Sequence, residues 1–190
     1  MKPDTVSGNN TILIINSFDA MSMEARKNKK ELFAELTNRL KQILYDGIQA
    51  QGNMRAIVAA DLLADTVKRD SSVFSLMKTN NASKAIVIKK VNAYFVQTRV
   101  DVVKESDGKK RTAYYDICST VTYSLYNRNE KTEEREKEEC EYFTDRSVVS
   151  GLLAAGPDIV GKSKHAFKIV EKNAMEYLKI IFFTFRSNNN

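Results

Sequence analysis

Gly156-Pro-Asp-Ile-Val-Gly161-Lys162-Ser163 matches G-x-x-x-x-G-K-[ST] without a gap. In such a loop, backbone amides cradle phosphates while the lysine and the hydroxyl serve the β/γ-phosphates and magnesium. The chemistry needs a context: a buried strand must lead into the loop, and the loop must open the first helix of a parallel sheet. Fewer than thirty residues follow Ser163, too few to supply further strands and a magnesium-positioning aspartate. The segment Ile57-Val-Ala-Ala-Asp61 would supply that aspartate only by inverting the usual order. The reading of Gly156, Gly161, Lys162 and Ser163 is therefore a glycine-containing helix-to-helix turn, with phosphate binding as the rival.

The remaining reactive side chains form no catalytic set. His165 is the only histidine, which excludes any site needing two imidazoles, and it reads as helix surface. Glu133, Glu134, Glu136, Glu138, Glu139 and Glu141 make an acidic run, but Arg135 and Lys137 interrupt it, as on a solvated edge strand whose charges discourage aggregation. An oxygen-ligand metal site wants carboxylates converging from loops, so no metal is assigned. Cys118 and Cys140 form no C-x-x-C pair. A three-residue turn centred on Asn129 places them opposite each other on adjacent antiparallel strands, where they either form a disulfide or stand as two reduced thiols. No cofactor is expected.

At 190 residues, 43% hydrophobic and 28% charged, with 2 prolines and 7 glycines, the chain reads as one globular domain. That domain is expected over 11–186, with disordered ends at 1–10 and 187–190. Thirty Lys and Arg against 24 Asp and Glu give +6. An acidic partner has to be considered, with knots at Arg26–Lys30 and Lys109–Arg111 as the basis for a nucleic-acid alternative. The spread of the other basic residues points to solvated faces. No apolar run approaches the roughly 20 residues of a membrane-spanning helix, and Met1–Asn10 lacks the apolar core of a signal peptide. The chain is then either cytoplasmic or the mature part of an exported protein.

Thr11–Phe18 is an apolar, β-rich run opened by Gly8-Asn9-Asn10 and reads as a buried strand. From Ser22 to Gln49, Leu32, Phe33, Leu36, Leu40, Ile43, Leu44 and Ile48 recur at helical spacing. Gly52-Asn53 ends that helix, and Arg55–Ala60 is a second short strand parallel to the first. Asp61–Asn80 is helical in character. Ala85–Val103 and Thr112–Tyr126 are long strands joined at Ser106-Asp107-Gly108, and a third, charged strand runs over Lys131–Phe143, with helix as its alternative. Arg146–Ala155 reads as a short helix and Lys162–Phe185 as a long one. The expected fold is α+β: a βαβ start, a mixed sheet with a three-strand antiparallel meander, and carboxy-terminal helices, with helices chiefly on one face. Tyr94, Tyr114 and Tyr126 are expected in the core, and an exposed edge of the meander is open to pairing with another chain.

Taken together, Ile12-Leu-Ile-Ile-Asn-Ser-Phe18 with its long helix, the strand at Ala56–Ala60, the meander with Asp107-Gly108 and Tyr123-Ser-Leu-Tyr126, and the carboxy-terminal helices resemble a family of bacterial envelope lipoproteins. These are similar in topology to the amino-terminal domain of the translocation protein TolB and to the curli-secretion lipoprotein. The resemblance implies a non-enzymatic protein of the periplasmic face of the envelope, tethered through a lipidated cysteine and working through a protein partner. It rests on pattern, and neither Cys118 nor Cys140 is placed to be the anchor, so it implies an upstream segment carrying that cysteine.

Overall fold

A computed structural model describes residues 10–62, 69–105, 108–128, 130–149 and 157–187. The expected disordered ends lie, apart from Asn10 and Ser187, outside them. Strand β1, Thr11–Asn16, is buried along its whole length because both its faces are covered. Ile12 and Ile14 enter the main core, while Leu13 and Ile15 enter a smaller one behind it. An uninterrupted apolar run is what a central strand requires, since alternation would put polar groups into one of the two cores. Helix α1, Lys27–Gln49, presents Leu32, Phe33, Leu36, Leu40, Leu44 and Ile48 to the main core. It returns the chain to β2, Arg55–Val58, which lies parallel to β1 with Thr11 opposite Arg55.

Helix α2, Arg69–Thr79, crosses the opposite face, where Val73 and Met77 pack with Leu13, Ile15 and Val87. Strand β3, Lys84–Glu105, then runs parallel to β1 on its other side, and the sheet order is β2-β1-β3-β4-β5. The helices are thus divided: α1 and the last helix, α3 (Ser163–Ser187), share one face and α2 takes the other. The crossover from β2 back past β1 to β3 runs in the opposite direction across the sheet to that from β1 to β2, so the same right hand puts α2 on the opposite face. Gly47 lies inside α1 at the contact with α3. A methyl group there would meet Leu178 Cδ1 at 2.3 Å, so the glycine that weakens an isolated helix lets these two approach.

Strands β3, β4 (Gly108–Asn127) and β5 (Glu130–Val149) are 22, 20 and 20 residues long and pair antiparallel. Because side chains alternate, Ala113, Tyr115, Ile117, Val121, Tyr123 and Leu125 face α3. The expected meander is present, with one correction: Arg146–Val149 belongs to β5 rather than to a short helix, and 150–155 lie outside the described residues. Helical spacing in so short a run is a weak signal against a full partner strand that offers Thr112 and Arg111 as register partners. The helix α3 is fixed to the sheet by buried polar groups. Asn173, fully buried, donates to Ser119 O (3.2 Å) and Lys137 O (2.8 Å) and accepts from the Tyr123 hydroxyl (3.2 Å). The Tyr123 ring stacks on Tyr177 at 3.7 Å between centroids.

Candidate functional site: the uncovered face and free edge of the meander

Past the first residues of the meander, the face turned away from α1 and α3 meets no helix among the described residues; α2 reaches only its start, where Phe74 meets Tyr126 edge-on and Asp70 accepts from the Tyr126 hydroxyl. The register lays out what this face carries. Successive rows across β3, β4 and β5 are Asn92, Thr120 and Glu138; then Tyr94, Cys118 and Cys140; then Val96, Asp116 and Tyr142. Tyr142 is 57% exposed, and Arg99 lies 4.2 Å over the Tyr114 ring. Tyr126 is buried as expected, but Tyr94 and Tyr114 are only half-buried. The expectation that all three tyrosines are core residues is corrected for these two. Alternation along β4 puts Tyr114 and Tyr115 on opposite faces, and only the face under α3 is covered.

Cys118 and Cys140 are register partners and form a disulfide across β4 and β5, 22 residues apart in sequence. Glu138 lies beside them, its carboxylate within 4.8 Å of both sulfurs. With the sulfurs bonded to each other, a metal would find one ligand there, and that carboxylate already accepts from the Tyr94 hydroxyl. The hydrogen bond to an anionic neighbour raises the Tyr94 phenol above its ordinary range.

The acidic run lines β5, the outer strand on this side. Glu133, Glu134, Glu139 and Glu141 each have a cationic partner, while Glu136 and Glu138 accept from the hydroxyls of Thr122 and Tyr94. Lys131 and Lys89 both reach Glu134 and, by donating to its carboxylate, hold it well below the ordinary glutamate range, at about 2. Lys137 does the same more weakly for Glu139, and Lys168 for Glu141. The pairing is distributed along a solvent edge, with no convergence of carboxylates on one point.

The loop matching the phosphate-binding pattern opens α3. Of its glycines, Gly156 lies outside the described residues, and Gly161 and Lys162 form a turn in which Lys162 N–H donates to Ile159 O at 3.3 Å. The strand before it, β5, is an antiparallel edge strand, whereas a phosphate loop follows a buried parallel one. Of the helix expected over Arg146–Ala155, residues 146–149 belong to β5, and 150–155 lie outside the described residues. Lys162 Nζ lies 5.5 Å from the centroid of Phe143, and exposed His165 meets the same ring edge-on at 4.8 Å. In the knot at Arg26–Lys30, Lys30 donates to Met21 O (2.8 Å), Lys27 faces Glu31 (3.7 Å), and Lys29 lies 5.9 Å from the Phe33 ring. The side chains of Lys109, Lys110 and Arg111 lie outside the described residues.

A second cluster went unread in the sequence. Of the parallel strands, β2 ends at Val58 opposite Ile14 and β1 two residues on at Asn16, and ligands of open α/β sheets bind beyond such carboxyl ends. There Asn16, 4% exposed, donates to Asp61 Oδ2 (2.9 Å), and Lys41 Nζ donates to Asp61 Oδ1 (3.0 Å). A small cleft beside them is lined by Phe18, Asp19, Thr37 and Asn38. The signal was available: a polar residue, Asn16, closing an otherwise apolar strand, and Asp61 just past the next strand. Here the three groups satisfy one another, so Asp61, the aspartate weighed for magnesium, works as the partner of Lys41 and Asn16.

No protein-family model matches the chain, and a search of curated proteins finds no match. Solved structures do resemble it. A protein described as a neuraminyllactose-binding hemagglutinin homolog from Helicobacter pylori has a TM-score of 0.51 at 9% identity, over 90% of this chain and 85% of that one. The likeness shows a shared fold. A minor lipoprotein from Acinetobacter baumannii (TM-score 0.45, 12% identity, 91% and 92% coverage) and the rare lipoprotein B from Shewanella oneidensis (TM-score 0.43, 9% identity, 95% and 96% coverage) are also found.

Proposed function

We propose that this chain is a non-enzymatic interaction module of the bacterial cell envelope, the water-facing part of a protein held to the membrane by a lipid anchor and working through a protein partner. The observation that carries the reading is the Cys118–Cys140 disulfide. Disulfides persist in oxidising compartments such as the periplasm and are rare in the cytosol. The likeness to the TolB amino-terminal domain and to the curli-secretion lipoprotein belongs to the same proposal. The surface offered to the partner is the uncovered sheet face with Tyr94, Val96, Tyr114 and Tyr142, since aromatic residues standing on a rigid, solvent-facing sheet give large contact area at little entropic loss. Among the described residues no helix is long and apolar enough to cross a membrane, which agrees with attachment through an anchor.

The test is to express the gene from its natural start in its own host, fractionate the cells, and examine the mature product by mass spectrometry and thiol titration. A lipid-modified product in the membrane fraction, with no free thiol on Cys118 or Cys140, is the expected result. A cytosolic product with both thiols free would overturn it.

A further inference from the structure

The two outer strands of the meander differ in what guards them. On the β5 side every second position from Lys131 to Glu141 carries a matched charge. On the other side, β1 pairs with β3 only as far as Ile88, and among the described residues no strand lies beside β3 from Lys89 to Glu105. That stretch leaves one row of backbone donors and acceptors unpaired by any strand, and four of its valines are exposed: Val96 at 42%, Val100 at 44%, Val102 at 52% and Val103 at 54%. A long, β-branched, open edge is a template for another strand.

The sequence of this edge specifies which strand. An isologous dimer joins two strands antiparallel about a two-fold axis normal to the sheet, which brings each residue opposite one on the same face. With the axis at Val100, Arg99 of one copy stands opposite Asp101 of the other, twice. The next same-face register in either direction places Arg99 opposite Arg99 or Asp101 opposite Asp101, so the two charges select the register as well as tolerate it. In the single chain the same side chains face one another across one intervening residue, Arg99 Nε lying 3.1 Å from Asp101 Oδ1, both well exposed and within reach of a neighbouring strand. The irregularity between Gln97 and Arg99 increases the local twist and confines the close pairing to the Arg99–Asp101 triplet and its flanks, Thr98 opposite Val102.

We propose that the outer edge of β3 is a self-association site, through which two copies pair about Val100 and join their five-stranded sheets into one, with Arg99 and Asp101 exchanging partners across the two-fold axis. Pairing of this kind withdraws the edge from non-specific strand addition and buries Val100 and Val102 on the helix side of the joined sheet. The inference goes beyond the envelope reading and stands without it, because self-association is measured on the pure chain whether or not a lipid anchor or a partner exists.

Sedimentation equilibrium of the wild-type chain and two charge reversals tests it. Arg99→Asp and Asp101→Arg each place like charges opposite one another and are expected to weaken dimerisation about tenfold or more, with an unchanged circular dichroism spectrum. Mixing the two variants makes every facing pair complementary again and restores a dimer containing one of each; the double reversal in one chain restores the homodimer. A wild-type chain that stays monomeric up to about 1 mM, single reversals that leave dimerisation unchanged, or a mixture and a double reversal that both stay monomeric would each overturn the proposal.

Discussion

Strands β3 and β5 flank the same partner, yet they finish the sheet in opposite ways. Strand β5 is tied down: a disulfide joins it to β4, Asn173 of α3 donates to Lys137 O, and lysines from β3 and α3 reach Glu134, Glu139 and Glu141. Beyond Ile88, β3 pairs with β4 alone among the described residues, and on its open side it shows valines to solvent. The difference teaches how an edge can be closed or kept open with the same backbone geometry. Matched charges on β5 make strand addition costly, since a second strand would have to desolvate them, whereas between Lys90 and Lys104 of β3 the only charged side chains are Arg99 and Asp101.

The contrast can be broken at its strongest restraint first. Replacing both Cys118 and Cys140 by Ser frees a loop of about 22 residues and is expected to cost about 3 kcal/mol in urea unfolding, compared with the oxidised parent. If the midpoint does not move, the disulfide is not what holds β5. Asn173→Leu removes a buried amide from Ser119 O, Lys137 O and the Tyr123 hydroxyl, and is expected to cost about 1–3 kcal/mol by thermal melt. The loss should be accompanied by faster amide exchange in β5 than in β3, because α3 restrains the former.

Glu134 gives a smaller, pH-dependent effect. Its folded value is depressed to about 2 by Lys131 and Lys89, so its contribution is fully present above the ordinary carboxylate range and is lost as the pH falls through about 2. The parent should therefore lose more stability than Glu134→Gln between the ordinary glutamate value of 4.5 and pH 2. Because the side chain is 43% exposed, solvent screening keeps the difference under about 1 kcal/mol. On the open edge, Val102→Lys should leave the monomer within about 0.5 kcal/mol of the parent, while lowering light scattering at high concentration. Equal scattering would mean that the edge is not the sticky surface.

Much of the fold was legible. The apolar run of β1, the three-and-four spacing in α1 and α3, and the long β-rich runs around Asp107-Gly108 each carry a period or a turn signal within a few residues, and each element formed. Cys140 stands opposite Cys118, but not by the three-residue turn centred on Asn129: Asn127 pairs with Glu130, and the irregularity between Leu125 and Tyr126 adds the residue that restores the pairing. What was hard to read depends on layers. Arg146–Val149 carries a helical spacing in its own sequence and becomes strand only through its partner on β4, and Tyr94 and Tyr114 lie on the uncovered side because alternation says that two faces differ without saying which one a helix covers. Asn16 and Asp61 are 45 residues apart and meet only because β2 runs parallel to β1, so that the chain past Val58 passes the end of β1.

By itself, then, the sequence determined the elements and their order, since periodicity, turns and strand register are set by interactions between residues near one another in the chain. Only the tertiary structure decided the sharing of helices between the two faces, the exposure of the tyrosine-bearing side of the meander, and the opening of β3 past Ile88. Those outcomes depend on where separate elements stop covering one another, which no local pattern encodes.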